Sequence, residues 1–325
     1  METKKYYAGV DIGGTFIKCG IVASDGEILV KGKIPTRRNK PYEEIVSGIA
    51  SFIKELETQA GVETCAIGVG FPGNVDSANG VVLYGNNVAW KNQPLGKDLE
   101  KALKKPAYVT NDANSAVLGE CFIGAGKEYD SCILVTLGTG VGGGIIIDGK
   151  LFEGNLSAGT EIGHHVMKKN GRKCSCGRRG CFETYASATA LMKAGRRAMR
   201  KNPGGRLWQA SGGISKNVDG KMIFDLAQDG DAVAQDVVDR YIDDLAEGVT
   251  NLANIFRPEA VLLGGGVSAQ GEALSKPVQD LLNKRIYGGT EYAPVKVAVA
   301  TLGNDAGLCG AGKLAMDGEA QKNKK

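Results

Sequence analysis

No stretch of this sequence is long and apolar enough to cross a membrane. The longest run without a charged residue extends from Ser131 to Ile147, and five of its residues are glycine. A spanning helix needs roughly 18 apolar residues. The start also reads as lacking a leader: Met1 to Tyr7 carries lysines, and no apolar run precedes Asp11, so no signal peptide is expected. Eight cysteines in 325 residues are too few for a disulfide scaffold. Charge of one sign is lacking too. Forty basic and 36 acidic side chains leave a net +4, and the basic residues read as scattered, which argues against nucleic acid as a partner. These absences point to a cytoplasmic protein without a membrane or nucleic-acid partner.

What is present is an ordinary globular balance, 42% hydrophobic and 23% charged, in a length that suggests two domains. Glycine is the exception: 48 residues, or about twice the usual share. The first apolar strand, Lys5–Ile12, leads into Asp11-Ile12-Gly13-Gly14-Thr15, and a second strand follows over Phe16–Ala23. A turn at Ser24–Gly26 introduces a third strand, Ile28–Ile34. The apolar spacing of Ile45, Ile49, Phe52, Ile53 and Leu56 predicts a helix over Glu43–Ala60. A strand at Cys65–Gly70, a Gly/Asn-rich loop, a helix near Leu95–Lys104, a strand at Ala107–Thr110 and a helix from Asp112 to about Ile123 complete the first half. About 125 residues after its start the pattern restarts, with a strand at Cys132–Leu137, the glycine loop Gly138–Gly144, a strand at Ile145–Ile147 and an Asp148-Gly149 turn. This reads as an ancient duplication: two α/β domains, each offering a glycine hairpin to a shared cleft. The later chain is helical, with a long helix over Asp231–Phe256, strands at Ala260–Leu263 and Val295–Ala300, and helices at Leu274–Ile286 and Ala306–Met316. The polar span Asn202–Lys221 reads as a surface excursion, and the last five residues as a frayed tail.

The glycine loops lack both the Walker pattern and the dinucleotide fingerprint. Lying between strands, they read as hairpin loops whose N–H groups can face phosphate. Asp11 at the lip of the first loop would repel phosphate unless a cation intervenes, so Mg²⁺ or its water is its natural partner. Asn111-Asp112, between a buried strand and a helix, has two readings of equal weight. Asp112 is either an N-cap or a general base at a strand's carboxyl end. Cys174, Cys176 and Cys181 follow the pair His164-His165 closely. Three thiolates and one imidazole make a closed tetrahedral zinc set. Gly177 and Gly180 allow a tight knuckle, and Arg172, Lys173, Arg178 and Arg179 favour the thiolate form. Cys19, Cys65, Cys121, Cys132 and Cys309 sit in apolar segments and read as core. Glu161 and Glu183 flank the metal string, where a rigid zinc knuckle could hold them as acceptors for sugar hydroxyls.

Six motifs together resemble the ROK family of sugar kinases. They are Asp11–Thr15, Asn111-Asp112-Ala113-Asn114, Leu137–Gly144, Glu161-Ile162-Gly163-His164, the three-cysteine knuckle, and Leu263-Gly264-Gly265-Gly266-Val267. They run in the family's order from residue 11 to about residue 312. The resemblance implies an actin-like ATPase (ribonuclease H-like) fold, with two α/β domains closing over ATP and a hexose. Domains are expected at 1–115 and 116–303, with a helix at about 304–318 packing back near the first and a tail at 319–325. Asp112 would be the catalytic base of ATP-dependent transfer to the glucose 6-hydroxyl. The sugar ligands would be Asn111, Asp112, Glu161, His164 and Glu183, with Gly73 and Asn87 beside them. The ATP phosphates would meet Asp11, Gly13, Gly14, Thr15 and Lys18 on one side, and Gly138, Thr139, Gly140 and Gly142 on the other. Gly264, Gly265 and Gly266, with the helix near Gly303–Gly310, would lie beside the adenosine. Family spacing selects His164 over His165 as fourth ligand of a structural zinc. The expected cofactors are ATP, Mg²⁺ and zinc, and the expected partners are a small hexose and further copies of the chain in a dimer or tetramer. Two rivals within the family are a kinase for an N-acetylhexosamine or another hexose, and a sugar-sensing repressor. The repressor would carry a helix-turn-helix domain before the first glycine loop, which here begins at residue 11. A pure ATPase switch would not need the Glu161/His164/zinc platform.

Overall fold

Two five-stranded sheets of the same topology organise the chain. In the computed structural model, which describes residues 4–85 and 88–322, the strands of the first sheet run β3-β2-β1-β4-β8. They are β1 (Tyr6–Ile12), β2 (Phe16–Ala23), β3 (Ile28–Pro35), β4 (Ala66–Phe71) and β8 (Ala107–Asn111). Helices α1 (Tyr42–Ala60) and α2 (Leu95–Leu103) lie between them in sequence. So do three short antiparallel strands, β5 (Gly73–Asp76), β6 (Val81–Gly85) and β7 (Lys91–Gln93). After α3 (Asp112–Ile123) come β9 (Cys132–Leu137), β10 (Val141–Ile147) and β11 (Lys150–Phe152). Helices α4 (Glu183–Ala186), α5 (Ala188–Lys201), α6 (Arg206–Ala210), α7 (Gly220–Gln228) and α8 (Ala232–Phe256) then precede β12 (Ala260–Gly264). The chain closes with α9 (Glu272–Arg285), β13 (Lys296–Val299) and α10 (Ala306–Lys322). The second sheet runs β11-β10-β9-β12-β13. In the first sheet, β1–β2 and β2–β3 are antiparallel, while β1–β4 and β4–β8 are parallel. The matching order of the two sheets is what the repeated strand–glycine turn–strand pattern predicts.

The chain forms two compact units. Unit 1 comprises Met1–Cys132, Gly144–Thr160 and Thr301–Lys325; unit 2 comprises Ile133–Gly143 and Glu161–Ala300. The division therefore follows contacts rather than one cut in sequence, with α3 and α10 both in unit 1. Its core is built on Ile17, Ile49, Ile53, Ile67, Phe71 and Leu99, all fully buried. Ile45, Ile49, Ile53 and Leu56 recur at helical spacing, which turns one face of α1 onto this core. Helix α10 packs against β1, β4 and α3 at backbone distance. A Cβ on Gly310 would lie 1.5 Å from the Ser115 carbonyl oxygen, and one on Gly68 would lie 1.8 Å from that of Ala311. Much of the glycine excess is thus steric: it permits helix–helix and helix–strand contacts that any side chain would block.

Some sequence expectations change. The Gly/Asn-rich loop after Phe71 is the β5-β6-β7 sheet, whose strands of three to five residues are too short for a periodic signal. The glycine loop expected over Gly138–Gly144 is shorter. Only Gly138, Thr139 and Gly140 lie outside strands, and Gly142, Gly143 and Gly144 belong to β10. Glycine is needed there because a Cβ on Gly143 would stand 2.1 Å from Ile162, and one on Gly144 would stand 2.7 Å from the Ala113 carbonyl. The span 202–221 is not a plain excursion. It holds α6 and buries Leu207, Ser211 and Val218. The C-terminal helix continues to Lys322, and Glu319 accepts hydrogen bonds from Lys5 and Tyr7. Among the described residues, no helix is long and apolar enough to cross a membrane.

Candidate active site

In unit 1, Asp112 stands where β8 meets α3. Strand β8 ends at Asn111, which is the N-cap of α3: its Oδ1 accepts from the Ala113 N–H at 2.8 Å. Asp112 is the first helical residue. Capping is therefore done by Asn111, and the choice left open by the sequence is resolved against Asp112 as N-cap. The Asn111 amide also donates to the Gly73 carbonyl at 3.1 Å, so Gly73 and Asn111 are neighbours. Burial pushes the Asp112 carboxyl up from 3.8 to about 6, and the nearby Asp11 charge adds to the rise. A carboxylate with a pKa near neutrality suits a general base. Asn87 lies outside the described residues.

Behind this corner is a polar cluster that the sequence did not announce. Glu153 Oε1 accepts from Thr110 Oγ1 at 2.6 Å, Ser77 Oγ at 2.7 Å and Asn114 Nδ2 at 3.3 Å. Thr110 and Asn114 bracket Asn111-Asp112, so Glu153 braces the corner from both sides. An acid one residue past a short strand reads as surface, and only the fold brings it here.

The first glycine loop is the β1–β2 hairpin turn, closed by the Gly13 N–H on the Phe16 carbonyl at 2.9 Å. Thr36 and Arg38 pin it from β3's end: Thr36 Oγ1 donates to the Gly13 carbonyl at 2.7 Å, and Arg38 Nε donates to that of Gly14. Thr15 accepts from the Thr36 N–H. Asp11 lies against Gly307 at the start of α10 and pairs with Lys18 at 3.0 Å. Lys18 also donates to the Asn304 carbonyl.

Unit 2 carries the second loop and the cysteine knuckle. Between β9 and β10 the Gly138 N–H donates to the Gly140 carbonyl at 3.0 Å. The start of α5 braces this turn, with Ala188 N–H on the Gly138 carbonyl and Thr189 Oγ1 on that of Thr139. Gly265 has φ +83°, and a Cβ there would meet the Leu137 backbone at 2.7 Å. The Gly264–Gly266 segment is thereby brought against the base of the second loop.

His164, Cys174, Cys176 and Cys181 present ligand atoms within 4.8 Å of one another. Cys176 Sγ and Cys181 Sγ are 3.7 Å apart, and Cys174 Sγ and His164 Nδ1 are 3.6 Å apart. A tetrahedral zinc with ordinary bond lengths would place such pairs about 3.8 and 3.6 Å apart. The sulfurs are too far apart for a disulfide, whose bond is about 2.05 Å. The four groups therefore fit a four-coordinate soft metal. Burial pushes the Cys181 thiol up to about 12, so its thiolate needs a cation beside it. His165 turns away: its Nδ1 is 2.7 Å from the Ile162 carbonyl, and its ring lies beside Phe182.

Glu183 opens α4 beside this knuckle. Its Oε2 accepts from the Val141 N–H at 3.2 Å, and its Oε1 lies 3.7 Å from Cys174 Sγ. It therefore links the knuckle to the second loop within unit 2. Glu161 is exposed, and its carbonyl accepts from the His164 N–H at 3.0 Å.

The ROK family model matches residues 7–318. The chain belongs to the ROK family. Among ROK relatives, a glucokinase of Thermotoga maritima is 39% identical over 310 residues, covering 94% of this chain and 96% of the relative. A glucokinase of Streptomyces coelicolor is 37% identical, covering 95% and 97%. The crystal structure of a ROK family glucokinase from Streptomyces griseus, in complex with glucose and AMPPNP, superposes with a TM-score of 0.79 at 37% identity. That match covers 96% of this chain and 99% of the other. The fold is accordingly the actin-like ATPase fold of the ROK glucokinases.

Proposed function

We propose that this protein is an ATP-dependent glucokinase that transfers the γ-phosphoryl group to the glucose 6-hydroxyl. The observation that carries the reading is Asp112, a carboxyl raised to about 6 at the first position of α3. It occurs in a chain alike over nearly its whole length to glucokinases. In this reading Asp112 accepts the 6-hydroxyl proton as O6 attacks phosphorus in line and the β–γ anhydride bond breaks. Positioning and charge neutralisation supply most of the acceleration. N–H groups of the Gly13–Thr15 and Gly138–Gly140 turns would face the phosphates, with the Gly264–Gly266 segment on the adenosine side. Asp11 would hold Mg²⁺ through water, and Mg²⁺ would supply charge neutralisation on the phosphates. The sugar ligands in this reading would be Gly73, Asn111, Asp112, Glu161, His164 and Glu183. Zinc on His164 Nδ1 and the three thiolates would be structural, because four protein ligands leave no position for a reacting water. The His164 Nε2 is then free for a sugar hydroxyl. Assembly into a dimer or tetramer and a place in cytoplasmic carbohydrate metabolism belong to the same reading.

The test is a coupled phosphorylation assay with ATP over glucose, mannose, fructose, N-acetylglucosamine and N-acetylmannosamine. Glucose is expected to give the highest kcat/KM. A preference for an N-acetylated sugar would move the assignment to a hexosamine kinase, and no turnover on any of the five would overturn it.

A further inference from the structure

The Asp112 carboxylate is held by groups of its own turn. Among the described residues, these are the Ala113 N–H at 2.9 Å, the Asp112 N–H and the Asn111 side chain. All belong to the junction of β8 with α3. Where that junction points, the carboxylate points.

The junction is gripped through Thr110 and Asn114, which flank it and are both buried. Both donate to one oxygen, Glu153 Oε1, which Ser77 Oγ also reaches. The two hydroxyl contacts, at 2.6 and 2.7 Å, are of the short kind that an ionised carboxylate makes. Among the described residues no lysine or arginine pairs with Glu153, so these donors are what offsets its charge. Asn114 is held at its other end as well, where Thr160 Oγ1 donates to its Oδ1 at 3.4 Å.

Glu153 and Thr160 are the two ends of one strap. Inside it the Gly159 N–H returns to the Glu153 carbonyl at 2.7 Å, and Ser157 Oγ accepts from the Ser77 N–H at 3.3 Å. Three of its non-glycine residues lie in the left-handed region: Leu156 at φ +51°, Ser157 at +55° and Thr160 at +60°. Such backbone is costly for any residue with a Cβ, and most of all for the branched Thr160. It persists where surrounding contacts over-determine it, and it gathers at functional sites. Strap and junction lie in the same unit.

We infer that Glu153 is a positioning residue for phosphoryl transfer: by holding Thr110 and Asn114 on one oxygen, it fixes the direction from which Asp112 meets the acceptor hydroxyl. The inference rests on the reading of Asp112 as the base. Glu153 moves no proton itself. A misplacement of about 1 Å can cost about 10²-fold in rate, so loss of the brace should show in kcat. The requirement is an acceptor at the Oε1 position. Glutamine offers a carbonyl oxygen there, whereas alanine leaves the buried Thr110 and Asn114 donors without it.

The experiment uses the full chain and measures kcat, KM for glucose, KM for ATP and Tm for the wild type and four variants: Glu153→Gln, Glu153→Ala, Thr110→Val and Asp112→Asn. Each is assayed below its Tm. Glu153→Ala is expected to lose at least about tenfold in kcat, with KM for ATP within about twofold. Glu153→Gln is expected to keep at least about a third of the wild-type kcat. Thr110→Val keeps the shape of the side chain but removes its hydroxyl. It is expected to lose at least about threefold in kcat, and it carries the test if Glu153→Ala does not fold. A lowered Tm with wild-type kcat in Glu153→Ala or Thr110→Val would overturn the proposal, because a purely structural carboxylate gives that result. So would a Glu153→Gln protein as slow as Glu153→Ala, or a loss carried wholly by KM for ATP. An Asp112→Asn protein as fast as the wild type would instead overturn the reading of the base on which the proposal stands.

Discussion

Asp112 shows how one residue's surroundings set its chemistry. Burial raises its carboxyl to about 6, so a base at this position would be charged only above that range. kcat/KM should fall as pH drops through about 6, and a pH–rate profile of the wild type checks this. Asp112→Asn should keep fold and glucose affinity but lose about 10²–10⁴ in kcat, read by steady-state assay and calorimetry. The same shift has a sign for stability. A carboxyl raised in the folded state stabilises most below its unfolded value and loses that contribution as pH rises through about 6. At neutral pH the wild type therefore carries a destabilising charge, and Asp112→Asn should be more stable by roughly 1–3 kcal/mol. At pH 4 the gain should vanish. Denaturant melts at pH 4 and 7.5 compare the two proteins, and an equal gain at both values would disconnect the charge from stability.

At the scale of elements, two constructions stand out. The knuckle joins a metal set to Glu183, which in turn reaches the second glycine loop through the Val141 N–H. Cys176→Ser should lose metal, loosen His164 and Glu183, and weaken glucose binding more than ATP binding. Metal analysis with separate titrations of the two substrates measures this, and unchanged glucose affinity in a metal-free variant would refute the coupling. The second construction is the crossing of α10 over α3. Gly310 has no room for a Cβ against the Ser115 carbonyl. Gly310→Ala should cost at least about 1–3 kcal/mol through forced separation of the two helices, seen as a lower Tm. The Gly138 and Gly265 turns lie elsewhere, in unit 2, and should be unaffected.

For the whole molecule, a metal held by His164 and the three cysteines would also be a folding ligand. Removal of zinc by a chelator should lower Tm, and one equivalent of zinc per chain should restore it, because a ligand of the native state stabilises by mass action. Differential scanning calorimetry with metal analysis tests both halves. A Tm indifferent to chelation would remove zinc from the account of the fold. Charge is uneven at this scale as well: residues 168–201, all in unit 2, hold eleven lysines and arginines against one acid, and the rest of the chain is acidic on balance.

Local patterns were legible in the sequence because they depend on near neighbours in the chain. The apolar period of α1, the hairpin at Asp148-Gly149 and the apolar period of α8 all rest on residues a few positions apart. The knuckle was legible for the same reason: its three cysteines lie within eight residues. The duplicated order of the strands was also written in the chain, and both sheets carry it. What could not be read joins distant residues or leaves no periodic trace. Glu153 meets Ser77 and Thr110 across 76 and 43 residues. Whether Asp112 caps α3 depends on a helix start displaced by one residue, and backbone geometry decides it. The sequence by itself determined the long helices, most strands of the two large sheets, the Cys3His ligand set and the place of the glycine turns, because each is a short-range property of side-chain type and spacing. Only the tertiary structure decided how far burial raises Asp112, which glycines serve close packing, and which side chains meet at Glu153. Desolvation, steric contact and hydrogen bonding all depend on what lies nearby in space, whatever the distance along the chain.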